Sequence, residues 1–391
     1  MAMAARFDEL HDLAAKATGM DDFGTSDYVA PLRHLLDDYD RHNNFPASGE
    51  QVIVADLVGQ LAGRLFAQSG FKSRPELADA PVEKPLFILG MARTGTTALL
   101  RLLSRDPATQ SLPLWLAMTP MPRPPRDTWD SHPCYQQVVQ GLAQLHEMSP
   151  EFKRIHPMAA DEPDECRVVL TQSLWSPTMA SLASAPSYAD WCLTSDARYA
   201  YCYYRRVLGL IAAGNNSRWL LKCPTNLWGL DALLDVFPDA NIVFTHRDVV
   251  TSMNSTASMV YHVRRMRDPD ITPEKAGREL LANWGRALDK AEKVRQRHDS
   301  SRFFDVHVSQ IQSDPLGTVE RIYRHFDMPF PEQTRAALAH HSAGDPRMGH
   351  GDHQYANTDF GFTAEDVKAA VGEYHERNRA VEALNPSARK N

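Results

Sequence analysis

The sequence predicts an α/β fold: a mostly parallel sheet flanked by helices, with a helical extension ahead of it. Three observations carry this. Short, continuous apolar runs occur at residues 86–89, 219–221 and 242–244, the pattern of strands buried on both faces. Helix-period segments lie between and after them, the alternation typical of parallel sheets with crossover helices. The first run leads directly into a glycine-containing loop and then an amphipathic helix. Parallel neighbours then require right-handed crossovers.

Taken in order, residues 1–20 read as an amphipathic helix carrying Asp8, Glu9, His11, Asp12 and Lys16. A basic start followed by an apolar stretch is missing, so this is not a signal peptide, and the cytoplasm is the expected compartment. Leu32, Leu35 and Leu36 recur at helical spacing, as do Val54, Leu57, Leu61 and Leu65. Asn43-Asn44-Phe45-Pro46 separates these helices, and Pro75 and Pro81 flank a short linker. Residues 1–84 are therefore expected to form a helical N-terminal extension, and residues 85–391 one α/β domain. Gly90 ends the first strand, and residues 96–105 form a helix with Leu99, Leu102 and Leu103 on its apolar face. Residues 113–133 contain six prolines together with Arg123 and Arg126. Such a long irregular segment is either a lid or binding wall, or a plain surface excursion. A fourth strand is expected at residues 303–308, and helices at 227–236, 249–265 and 273–297.

Composition narrows the function. The 391 residues hold 42 basic against 49 acidic side chains, a net charge of −7. A generic nucleic-acid or anionic-membrane binder leans the other way, so an anionic ligand must be held by a local basic cluster. No apolar run approaches the roughly 18–20 residues of a membrane span. The five cysteines, Cys134, Cys166, Cys192, Cys202 and Cys223, are odd in number and lack C-x-x-C spacing, which argues against a disulfide scaffold or zinc ribbon.

Four segments carry chemistry. Gly90-Met91-Ala92-Arg93-Thr94-Gly95-Thr96-Thr97 joins strand to helix, and such a loop aims backbone N–H groups at the positive end of a helix dipole, where oxyanions bind. Its spacing is that of a Walker A loop, but Thr96 takes the lysine position. Lys222 ends the second buried run, at the carboxyl edge where ligands of open α/β sheets bind. Arg247 ends the third within Thr245-His246-Arg247-Asp248, and Ser255 follows eight residues later, about two helical turns on. An arginine fork and a hydroxyl there can converge on one phosphate. Each basic residue has a plainer reading as a solvated strand end. The fourth segment, residues 156–165, offers Glu165, Glu162 and His156 as proton acceptors. Pro163 fits the first turn of a helix, so Asp164 and Glu165 read equally as helix-capping acids.

Together these segments resemble the sulfotransferase family that uses 3′-phosphoadenosine 5′-phosphosulfate, especially its bacterial branch. The resemblance rests on Ala92-Arg93-Thr94-Gly95-Thr96-Thr97, on Leu221-Lys222-Cys223-Pro224, and on Phe237-Pro238-Asp239-Ala240 with His246-Arg247-Asp248 and the serine eight residues on. It extends to Arg347-Met348-Gly349-His350-Gly351, His353, Tyr355 and Asp359-Phe360-Gly361-Phe362. It implies a P-loop-like fold and in-line transfer of a sulfuryl group to the hydroxyl of a small molecule, apolar or phenolic. Arg93, Thr94, Gly95, Thr96 and Thr97 would hold the 5′-phosphosulfate. Arg247 and Ser255 would hold the 3′-phosphate, and Arg347 would close over the nucleotide. Lys222 and Arg93 would face the sulfuryl group, with Glu165 as the base and no metal needed.

Two positions depart from the pattern. Ala92 replaces the usual proline, and Asn226 stands where many bacterial relatives carry histidine after L-K-x-P-x. His350, Asp352 and His353 form only a weak metal pattern. The rivals are a P-loop kinase or NTPase, disfavoured by Thr96, and a non-catalytic nucleotide-binding module, consistent with Asn226. The acceptor and the oligomeric state are not encoded legibly. Leu112, Leu114, Trp115, Leu116, Trp175 and Met179 form either an acceptor wall or ordinary core.

Overall fold

A computed structural model describes residues 2–148, 158–344 and 360–384. Five strands form one all-parallel sheet: β1 (Leu86–Gly90), β2 (Thr109–Ser111), β3 (Arg218–Lys222), β4 (Asn241–His246) and β5 (Phe303–His307). Their order is β2-β3-β1-β4-β5, with β1 at the centre. Three of the four expected strands gain a residue or more, and the fourth ends at His307. The short edge strand β2 is a finding of the structure. Its Thr-Gln-Ser sequence has no apolar signature, and pairing with β3 makes it a strand. The chain divides into two units: residues 1–82, 112–216 and 262–271, and residues 83–111, 217–261 and 272–391.

The second unit contains the sheet. Alternation along each strand sends Leu86, Ile88, Leu220, Val243 and Val306 into a core with Leu99, Leu102, Leu103, Ile311, Val319 and Ile322. These last residues come from the helices Thr96–Leu103, Val308–Ser313 and Pro315–His325. Phe87 packs edge-on to Phe237, their centroids 5.4 Å apart. Asp106 is buried, yet accepts from the hydroxyls of Tyr323 at 2.7 Å and Thr334 at 2.9 Å, which satisfies its carboxylate. Two long helices, Pro273–Arg295 and Ala364–Ala383, pack together beside β5. Gly277 is needed there, because a Cβ would strike the backbone of Phe360.

The first unit is helical. Phe7–Thr18 stops at Gly19, whose positive φ of 71° lets its N–H cap Ala15. Ala47–Ser73 buries Ile53, Leu57, Leu61 and Leu65, a stripe at four-residue spacing. On the same helix Arg64 is buried, donating to the carbonyls of Phe23 and Thr25 and thereby tying down the preceding connection. Residues expected as a linker instead form the helix Pro75–Ala78, with proline at its first position. Trp115 packs against Trp129 and Tyr135, with centroids 5.2 and 5.8 Å away. Leu112, Leu114, Leu116, Trp175 and Met179 are all at most 4% exposed, so this group is core. The proline-rich stretch includes the short 3-10 helix Arg126–Ser131 and is pinned by Arg126 to Asp161 at 3.0 Å. Burial lowers the Arg123 guanidinium to about 10. Among the described residues, no helix is long and apolar enough to cross a membrane.

Candidate active site

The loop after β1 is shaped by three unusual backbone positions. Gly90 has φ 139°, and a Cβ there would lie 2.5 Å from both the carbonyl and the hydroxyl of Thr245. Gly95, at φ 91°, begins the helix Thr96–Leu103. Between them Arg93 is left-handed, φ 69°, a conformation that costs a non-glycine residue about 1–2 kcal/mol. Left-handed residues alternating with ordinary ones turn successive N–H groups to one side, the geometry of an anion nest.

Thr94 locks this shape. It is fully buried, and its hydroxyl donates to the Met91 carbonyl at 2.6 Å. Its hydroxyl also meets the Thr245 hydroxyl at 2.6 Å, and Thr245 in turn reaches the Leu89 carbonyl at 3.2 Å, so the two hydroxyls share their protons within this buried network. The side chain of Thr94 is thus spent inside the protein, and what it can offer an anion is its main chain. Thr96, the first helical residue, is also buried.

Because β1 lies between β3 and β4, the basic strand ends flank the loop. On the β3 side, Lys222 is 2% exposed and donates through Nζ to the Thr97 hydroxyl at 3.2 Å. On the β4 side, Arg93 Nε donates to Ser255 Oγ at 3.2 Å, and Arg247 Nη1 lies 3.4 Å from the Arg93 carbonyl. Ser255 sits on the helix Val249–Arg265, whose start is fixed by Asp248 accepting from Thr251 N–H and hydroxyl. The structure therefore brings Arg93, Arg247 and Ser255 together and sets Lys222 against Thr97.

Behind Arg247 lies a charged cluster that sequence reasoning missed. Asp305 takes both Arg295 guanidinium nitrogens at 2.8 Å and His246 Nε2 at 2.7 Å. Burial pushes the Asp305 carboxyl up, but the Arg295 and His246 hydrogen bonds outweigh it and hold it well below the usual carboxylate range. His246 stacks on Tyr374, and Asn378 donates to the Arg247 carbonyl at 2.6 Å. Nothing in the local sequence marks Tyr374 or Asn378; only folding brings their helix to β4. Burial lowers the pKa of His307 at the end of β5.

Glu165 belongs to the first unit, and its setting differs from expectation. Pro163 is not in a helix; it forms an isolated antiparallel bridge with Pro113. Leu114 and Trp115 N–H groups donate to Glu162 and Ala160, and Asp164 N–H donates to Leu112. The helix begins only at Arg167, so Glu165 stands on the turn before it. Its carboxylate accepts from Arg167 Nε at 3.0 Å, with 14% of the side chain exposed. Asn226 is buried in the 3-10 turn Pro224–Gly229 after Lys222. His156, Arg347, His350, Asp352 and His353 lie outside the described residues. No group of three or more His, Cys, Asp or Glu suited to a metal ion occurs among the described residues.

Comparison with known proteins completes the picture. The chain is similar over 95% of its length to the crystal structure of sulfotransferase STF1 from Mycobacterium tuberculosis H37Rv, covering all of that chain with 40% identity and a TM-score of 0.87. It is also similar to sulfotransferase STF9 from Mycobacterium avium, at 26% identity and a TM-score of 0.85, covering 95% of this chain and 96% of that one. A shorter match, 25% identical over 112 residues, is to the omega-hydroxy-beta-dihydromenaquinone-9 sulfotransferase Stf3 of Mycobacterium bovis; it spans 28% of each chain. The model of the sulfotransferase family matches residues 85–332, which include β1 through β5, the loop, Lys222, Arg247 and Ser255, and so the chain belongs to the sulfotransferase family.

Proposed function

We propose that this sulfotransferase uses 3′-phosphoadenosine 5′-phosphosulfate and transfers its sulfuryl group to the hydroxyl of a small, largely apolar or phenolic molecule. The observation that carries the donor assignment is the meeting of Arg93, Arg247 and Ser255 on the β4 side of the loop, with Lys222 on the β3 side. One nucleotide with phosphates at both ends of its ribose fits this division. The nest of main-chain N–H groups at residues 93–97 and the helix N-terminus behind it hold the 5′ group. Arg247 and Ser255 hold the 3′-phosphate by a fork and a hydroxyl donor. Arg93 reaches from the loop toward Ser255 and links the two ends. Lys222 balances charge that develops on the sulfuryl oxygens and the leaving phosphate. Such fixed charges in a water-poor site are worth on the order of 3 kcal/mol per donor.

Glu165 takes the acceptor proton in this reading, since the position after L-K-x-P-x is a buried asparagine that cannot act as a base. Arg347 would act over the nucleotide. The name of the Stf3 relative specifies a hydroxylated menaquinone as its acceptor, which supports an apolar molecule bearing a hydroxyl here.

Calorimetry with adenosine 3′,5′-bisphosphate and AMP tests the donor. The bisphosphate should bind roughly ten- to hundredfold more tightly, the worth of about 1.5–3 kcal/mol for a charge-assisted contact. Arg247→Ala should erase most of that ratio. Equal affinity of the two nucleotides for the wild type would overturn the assignment.

A further inference from the structure

We infer that Asn378 is a positioning residue for Arg247 and, resting on the donor reading above, that it sets how strongly the site prefers a 3′-phosphorylated nucleotide. Arg247 is the first residue beyond β4, where ladder pairing with β5 ends at the His246–His307 pair. Its carbonyl therefore needs a donor from elsewhere, and the aim of its guanidinium depends on how the peptide after it is held. The Asn378 side chain supplies the donor, with Nδ2 at 2.6 Å. A carbonyl only accepts, so the amide nitrogen must face it. Asn378 is 4% exposed, so no bulk water competes for that carbonyl on its side.

The donor is itself held in register. Tyr374 lies one turn earlier on the same helix, Ala364–Ala383, and stacks on His246 with centroids 5.5 Å apart and planes 25° apart. Arg377, beside Asn378, pairs with the buried Glu292 at 2.6 Å and anchors this helix to Pro273–Arg295. Asp305 joins the same group, bonded to His246 and Arg295. Two consecutive residues of one strand end, His246 by its ring and Arg247 by its carbonyl, are thus gripped by residues four apart on one helix face. Without Asn378 the Arg247 carbonyl loses this donor, so the peptide between Arg247 and Asp248 is held less firmly and the guanidinium is aimed less well while keeping its charge.

The test is calorimetry of adenosine 3′,5′-bisphosphate and AMP on wild type, Asn378→Ala, Asn378→Asp, Arg247→Ala and the double variant of Arg247→Ala with Asn378→Ala. Asn378→Asp keeps the size of the side chain but presents an acceptor to the carbonyl, and it guards against a packing defect in the alanine variant. Both substitutions should lower bisphosphate affinity about tenfold, the typical worth of one buried hydrogen bond and its orphaned partner, and leave AMP affinity unchanged. In the Arg247→Ala background, Asn378→Ala should have no further effect. A normal nucleotide ratio in both Asn378 variants, equal losses for both nucleotides, or the same tenfold loss without Arg247 would overturn the inference alone. An unchanged ratio in Arg247→Ala itself would instead overturn the donor reading on which it rests.

Discussion

Lys222→Met separates a functional role for this lysine from a structural one. Lys222 is 2% exposed, and its ammonium donates to the hydroxyl of Thr97, which is only half-buried. Placing an ammonium there carries a desolvation cost of several kcal/mol, which its hydrogen bonds only partly offset. Methionine has nearly the same length and flexibility, occupies the same buried space, and removes that cost. It gives up the hydrogen bond to Thr97, worth about 1 kcal/mol, and Thr97 can turn to water instead. The two effects oppose, so folding stability should stay within about 1 kcal/mol of wild type, on either side. Turnover should fall far more: one fixed positive donor at the sulfuryl group is worth on the order of 3 kcal/mol, or about a hundredfold. Single-turnover sulfation and urea unfolding on the same sample give both numbers. Normal turnover would refute the role. A stability loss above about 2 kcal/mol with a proportionate loss of activity would make Lys222 a structural residue and refute the argument that its burial serves catalysis.

Glu165→Gln should lower turnover by about 10²–10⁴-fold with nucleotide affinity unchanged, and normal turnover in a single-turnover assay would remove Glu165 as the base. Asp305→Ala strands Arg295 and His246 and should cost about 3 kcal/mol in chemical denaturation. The acid limb of stability follows from the same group. Its folded pKa lies below the unfolded value of about 3.9, so the unfolded chain takes up the proton first. The stabilisation is complete above about pH 5 and is lost progressively as pH falls below 4; in Asp305→Ala that part of the pH dependence should disappear from a stability-versus-pH series.

What the sequence made legible follows the range of the interactions involved. The buried strands announced themselves because a strand covered on both faces needs a run of apolar residues, as in Leu86-Phe87-Ile88-Leu89. The loop was visible because left-handed turns and helix starts favour glycine at fixed spacing. Residue types at strand ends marked Lys222 and Arg247. By contrast β2 is polar, and only its pairing with β3 through Thr109, Gln110 and Ser111 creates it. The charged cluster of His246, Arg295 and Asp305 with the grip of Tyr374 and Asn378 joins positions separated by as many as 131 residues. No local pattern encodes that distance.

Pro163 shows how a local signal is overruled. Proline followed by two acids is a good helix start, because the missing N–H and the helix dipole both suit it. Here three main-chain hydrogen bonds and a bridge with residues 112–115 compete for the same backbone. Each proposed helical bond would satisfy one N–H, whereas the ribbon satisfies those of Leu114, Trp115 and Asp164 while burying Leu112, Leu114 and Trp115. Burial of those side chains, at about 1.5–3 kcal/mol each, exceeds a few tenths to 1 kcal/mol from a helix cap. The helix start is therefore displaced to Arg167, and Glu165 is held on an anchored turn, with Arg167 at its carboxylate, instead of spending that carboxylate as a cap.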